Sequence, residues 1–124
     1  MDRPDRQTLG RKAEALAAAH LEASGAQILL RNFRRRTGEL DLVARHADTL
    51  LVVEVRLRSR EDYGGAAASV DAVKQRRIVR TTHQLLQVQR DLARWPVRFD
   101  VMVVTPDREP WRIEWIRHAF EAHG

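Results

Sequence analysis

Apolar and polar positions recur along this chain at two spacings, and the switches between them mark its elements. From about Arg6 to Ser24 the sequence is alanine-rich, and Leu9, Ala13, Leu16, Ala17 and Leu21 fall on one helical stripe, which predicts a helix stopped by Gly25. Ala26 to Phe33 predicts a first strand. Gly38 to Arg58, GELDLVARHADTLLVVEVRLR, then alternates as two half-buried strands joined by the polar link Arg45, His46, Ala47 and Asp48. SREDYGGAAAS follows, with the small residues of a mobile loop that either closes over a site or serves as a slack connection. Ser69 is placed to cap a helix running to about Arg94, with Ile78, Thr81, Leu85, Val88 and Leu92 on its core face. Pro96 ends that helix. VRFDVMVVT is apolar on both faces apart from Asp100 and predicts a central strand; after PDREP, Trp111, Ile113 and Trp115 alternate with Arg112 and Glu114 in a last strand with a short tail, HAFEAHG.

The order helix, three strands, helix, two strands predicts an α/β domain whose mixed five-stranded sheet is flanked by helices, the long helix acting as a crossover between parallel third and fourth strands. At 124 residues and 44% hydrophobic, the chain is expected to form one domain over residues 1–124. The absence of cysteine excludes disulfides, thiolate metal sites and cysteine nucleophiles. No signal-like core and no apolar run of membrane-spanning length is present, so a soluble, cytoplasmic protein without a membrane partner is expected. A net charge of +5 fits either a polyanionic partner or simple solubility. Lys12 and Lys74 are the only lysines among 22 basic residues, so each lysine that survives an arginine-biased composition is informative.

Acids inside apolar strands demand partners. Glu39 and Asp41 share one face of the first hairpin strand; Val52, Glu54, Arg56 and Arg58 share one face of the second. A connecting loop with an even number of residues puts the two sets on the same side of the sheet, and an odd one separates them. Neighbouring Asp41 and Glu54 would repel unless a cation or a shared proton relieved them, and a hard divalent cation such as Mg²⁺ takes such oxygen ligands. The alternative is a solvated face of ion pairs with Arg56, Arg58 and other arginines. Glu14 lies at the margin of the first helix's stripe, as a solvated edge or a site residue, and His20 reads as a boundary residue. Lys74 lies on the inward line of the second helix and must either snorkel past the helix end or meet an anion. Gln75, Arg76 and Arg80 fall elsewhere on that helix and read as solvated. Arg31, Arg34, Arg35 and Arg36 surround Phe33, where they could hold phosphates or form a solvated turn. Trp95, Trp111 and Trp115 read as core or subunit-contact residues.

Gly10 and Glu14, GELDLV, VVEVRLR, VDAVKQRRI and RFDVMVV together resemble the YraN-like family of small bacterial proteins, which is similar in fold to Holliday-junction resolvases and PD-(D/E)XK nucleases. The resemblance covers nearly the whole chain. It implies a restriction-endonuclease-like core and a divalent-metal-dependent nuclease acting on DNA, extending to branched or structured DNA, with a nucleic-acid-binding protein of degenerate, inactive site as the alternative. By motif position it implies Asp41 and Glu54 as ligands of Mg²⁺ or Mn²⁺. Glu14 matches the acid of the first helix, and Glu39 and Lys74 match supporting positions. Arg34, Arg35, Arg36 and Arg58 are the expected nucleic-acid contacts. The departure is Arg56, where the nuclease pattern has lysine: a guanidinium can stabilise developing charge but cannot serve as general base. Arg56 therefore reads as a harmless exchange, a loss of catalysis with binding retained, or a migration of the lysine role to Lys74. Resolvase-like nucleases act as dimers, which makes a second copy of the chain a candidate partner.

Overall fold

The structure, a computed structural model, describes residues 5–58 and 69–122. Asp5 opens the first helix: its carboxylate accepts from Thr8 N at 2.7 Å, and α1 (Arg6–Ala23) runs on to Gly25 at φ 96, where glycine closes it without strain. Ala13, Ala17, Ala18 and Leu21 are its buried residues, so mostly small side chains face the sheet and let the helix lie close to it.

Five strands follow the predicted order, β1 (Gln27–Arg35), β2 (Gly38–His46), β3 (Thr49–Leu57), β4 (Val97–Thr105) and β5 (Arg112–Phe120), with α2 (Ala72–Val88) between β3 and β4. They lie side by side in chain order. β3 and β4 pair in parallel and every other neighbouring pair is antiparallel, so α2 is the crossover the sequence predicts. Alternation along the central strands divides the core: Leu51, Val53 and Met102 pack beneath α1, whereas Val52, Val101 and Val103 pack with Ile78 and Leu85 of α2. The result is a mixed five-stranded α/β sheet with a helix on each face, compatible with a nuclease-like core. Among the described residues no helix is long and apolar enough to cross a membrane.

Several boundaries differ from the sequence reading. Asp71, not Ser69, caps α2, with Oδ1 accepting from Lys74 N at 2.8 Å. The helix ends at Val88 because Gln89 leaves helical geometry (φ −126, ψ 77), and the chain continues as a 3₁₀ turn over Arg90–Arg94. That break leaves Val88 60% exposed while Leu92 returns to the core. β1 extends to Arg35, so part of the arginine cluster belongs to a strand. The last strand absorbs the first three residues of the expected tail, reaching Phe120, whose ring stacks on Phe99 with centroids 5.0 Å apart. The expected mobile segment falls largely on residues 59–68, outside the described residues.

The turn between β1 and β2 is anchored on α2. The Thr37 hydroxyl lies 2.8 Å from that of Thr81 and donates to Gln84 Oε1 at 3.2 Å. At Gly38, φ is 152 and an added Cβ would stand 3.3 Å from Thr81 Oγ1 and 3.4 Å from Arg77 Cβ. Gly38→Ala is therefore expected to lower stability by about 1–3 kcal/mol, through backbone strain and displacement of α2. An unchanged urea midpoint would contradict this close approach.

Candidate functional site

His46 pairs with Thr49, so the hairpin loop is the two residues Ala47 and Asp48, with Ala47 at φ 53. The loop is even. In this register Asp41 falls opposite Glu54, and the sequence condition for bringing the acids together is met. The regular ladder, however, ends at Leu42 and Val53. Beyond it the Asp41 carboxylate accepts from Val55 N at 2.8 Å, so a side chain satisfies a backbone donor where the strands part. Leu40 then packs on the same α2 side as Val43, a break in strict alternation at the same place.

The parting strands and the first turns of α2 enclose an open cavity of about 370 Å³, with Glu39, Asp41, Glu54, Lys74, Arg77 and Gly38 in its wall. Glu54 is buried and Lys74 is not: their side chains are 9% and 44% exposed, and Lys74 Nζ stands 2.8 Å from Glu54 Oε1. Lys74 thus reaches an anion past the helix start. Burial, the negative charge of Glu54 and, more weakly, that of Glu14 push the Asp41 carboxyl up to about 8, against the lowering effect of Val55 N–H. Asp41 consequently keeps its proton near neutrality, beside Glu54. Glu14 projects from α1 toward the same acids. Its carboxyl is raised above its ordinary value by burial first and by the charges of Glu39 and Glu54, with Arg34 opposing.

Asn32 joins this group. Of the two orientations its amide can take, only one satisfies its neighbours: Nδ2 then donates to both Glu14 carboxylate oxygens at 3.2 Å and to Glu39 Oε1 at 3.1 Å. Nothing in the sequence reading singled out Asn32; the available signal was an asparagine inside a strand, a residue that strands disfavour. Arg77, in the cavity wall, was missed too.

The arginines divide. Arg34 Nε pairs with Glu39 Oε1 at 3.2 Å. The Arg35 guanidinium lies over the Phe33 ring, 4.2 Å from its centroid, and Arg36 is exposed at the turn. Arg56 Nη1 donates to Ser69 O at 3.3 Å, so its head group is tied to the approach to α2 and is absent from the cavity wall. Arg58 extends the β3–β4 pairing through its backbone N–H to Val104 O at 2.8 Å. His20 is exposed and meets Trp115 edge-on. Trp115 and Trp95 pack at core margins, while Trp111 lies under the Lys12 ammonium at 4.1 Å.

Among the described residues no three acidic or histidine side chains form a ready-made metal cage. The donor chemistry nonetheless fits a hard cation: Asp41 and Glu54 offer oxygens to one cavity, and the proton on Asp41 and the ammonium on Glu54 supply the positive charge that an ion would replace.

Residues 13–104 match the model of a family described as uncharacterised protein family UPF0102. The chain belongs to this family. The match takes in Glu14, Asn32, Asp41, Glu54 and Lys74 and ends before β5. Relatives extend the likeness over nearly the whole chain. A UPF0102 protein of Stutzerimonas stutzeri is 45% identical over 116 residues, covering 94% of this chain and 97% of its own. One from Cupriavidus taiwanensis is 48% identical over 121 residues, 96% and 87% of the two chains. One from Pseudomonas aeruginosa is 44% identical over 123 residues, 98% of each. UPF0102 membership bears out the YraN-like resemblance; the chemistry has to be read from the site.

Proposed function

We propose that this member of UPF0102 is a divalent-cation-dependent nuclease acting on DNA, including branched or structured DNA. One observation carries the reading: Asp41 and Glu54 meet where β2 and β3 part, at the wall of an open cavity, with one carboxyl retaining its proton and the other held by Lys74. Two carboxyls held so close that burial and mutual repulsion keep one of them protonated are the kind of arrangement that sites retain and solvated sheet faces do not.

Asp41 and Glu54 are the residues that would hold Mg²⁺ or Mn²⁺. When bound, the ion would polarise a phosphodiester and supply a more acidic water. Val55 N–H orients the Asp41 carboxyl, and Lys74 reaches the cavity from the start of α2 on a long side chain able to exchange Glu54 for a substrate phosphate. Arg77 adds a second cation to the same wall. Arg34, Arg35 and Arg36 lie at and beside the anchored β1–β2 turn, where they would hold flanking phosphates, with Arg58 at the end of β3. Arg56 supplies charge alone, so the lysine role passes to Lys74.

The test is cleavage of linear, single-stranded, flapped and four-way DNA with Mg²⁺, Mn²⁺ or EDTA. Metal-dependent cleavage is expected, falling at least about 100-fold in Asp41→Asn and about 10- to 100-fold in Lys74→Ala. Salt-sensitive DNA binding without cleavage would instead establish the inactive, binding-only alternative, which the occupation of Glu54 by Lys74 favours. Lys74→Ala cleaving as fast as the parent would remove Lys74 from the mechanism.

A further inference from the structure

Asn32 sits inside β1, between Arg31 paired with Leu42 and Phe33 paired with Leu40, yet its φ is 55. A left-handed residue within a strand is rare, and asparagine is among the few side chains that tolerate it. The kink has a directional result. It aims a neutral amide at two carboxylates from different elements, Glu14 of α1 and Glu39 of β2, with contacts of 3.1–3.2 Å. These acids repel one another. Arg34 pairs with Glu39 from the exposed side, at 3.2 Å, whereas Glu14 is held by the Asn32 amide.

We infer that Asn32 is a positioning residue of the proposed site: its left-handed backbone lets one amide hold Glu14 and Glu39 together beside Asp41 and Glu54. Resting on the proposed function, the inference adds what that function leaves open, namely how the acid of α1 is kept at a site otherwise built from β2, β3 and α2. Glu14 held in this way contributes its negative field to Asp41 and Glu54, where a cation would bind. Released, its carboxylate turns to solvent and that field weakens. Asn32 touches no reacting group and acts only through these acids.

The alternative is that Asn32 only makes the kink. Glycine separates the two, because it adopts positive φ at least as readily as asparagine and carries no amide. The experiment compares the parent, Asn32→Gly, Glu14→Ala and the double variant by thermal melting and by calorimetric titration with Mn²⁺. If Asn32 positions Glu14, Asn32→Gly lowers the melting midpoint by about 4 °C in the parent and by clearly less when Glu14 is already alanine, where only the contact to Glu39 is lost. Mn²⁺ affinity is expected to fall about 3- to 10-fold in Asn32→Gly with no further loss in the double variant. Equal effects of Asn32→Gly on melting in both backgrounds would overturn the inference, as would an unchanged Mn²⁺ affinity in a protein that binds the ion. If the parent binds no Mn²⁺, the metal part of the proposed function fails separately, and the melting cycle alone decides: coupling upholds the inference and additivity overturns it.

Discussion

Asp41→Asn is expected to stabilise the metal-free protein at pH 8. Asparagine is isosteric, keeps an oxygen to accept from Val55 N, and cannot ionise beside Glu54. The direction follows from linkage. The Asp41 carboxyl titrates at about 8 in the fold, against an ordinary value of 3.8. Between these values the folded state holds a proton that the unfolded chain releases, so stability falls as pH rises from about 4 to about 8. Below about 4 both states are protonated and the group contributes nothing; above about 8 the full penalty applies. The interval from 3.8 to about 8 corresponds to roughly 5 kcal/mol, and solvent reaching the open cavity reduces the expected gain to about 2–4 kcal/mol. Urea unfolding of parent and variant at pH 4 and pH 8 measures it. The variant should be more stable at pH 8 and nearly equal to the parent at pH 4. Equal stability at both pH values would mean that Asp41 ionises freely and that the site is an ordinary ion-pair surface.

Asp100→Ala is expected to cost about 3–5 kcal/mol, the opposite sign. Asp100 is fully buried on β4 and accepts four hydrogen bonds: Arg98 Nε and Nη2 at 2.8 Å each, Trp115 Nε1 at 2.8 Å and His118 N at 2.9 Å. Burial works to raise its carboxyl, but the bonds from Arg98, His118 N–H and Trp115 outweigh it and hold the group below its ordinary value. Its stabilisation is therefore present above the unfolded value of 3.8 and lost as pH falls through the depressed folded value. The carboxylate also shapes β5. His118 takes φ 52 to deliver its N–H, and the shifted register that results lets Phe120 pair with Phe99. Removing it should loosen the end of β5 as well as lower the unfolding midpoint. A change under about 1 kcal/mol would show that the four bonds contribute little net stability. Together the two aspartates are expected to place the stability optimum of the metal-free protein near pH 4, on the acid side of neutrality.

The fold was largely legible because period and order carried it. Apolar recurrence located both helices and all five strands, and the crossover rule supplied the parallel β3–β4 pair. The boundaries were not, since they are set by contacts distant in sequence. Asp71 outcompetes Ser69 as a cap only because α2 starts there, and β5 continues past His118 only because Asp100, 18 residues earlier, supplies an acceptor for its backbone. At the site, pattern gave the pair Asp41 and Glu54 and the inward line of Lys74, but register decided whether they meet. Asp100 was visible as an exception in an apolar strand, yet its partners Arg98, Trp115 and His118 come together only through the β4–β5 pairing. Asn32 offered only the weak signal of an asparagine inside a strand, because its role depends on a left-handed backbone angle that period does not encode. Arg56 shows the limit of motif reading: alternation placed it with Glu54, whereas its guanidinium donates to Ser69 O at the approach to α2.

The most direct test of the cation site is a calorimetric titration of Mn²⁺ into the parent protein at pH 7, repeated in buffers of different ionisation enthalpy. Because Asp41 is protonated at that pH and must give up its proton to act as a ligand, one ion is expected to bind with release of about one proton, and Asp41→Asn is expected to abolish both. Absence of binding, or binding without proton release that survives Asp41→Asn, would contradict the assignment of Asp41 and Glu54 as a metal centre.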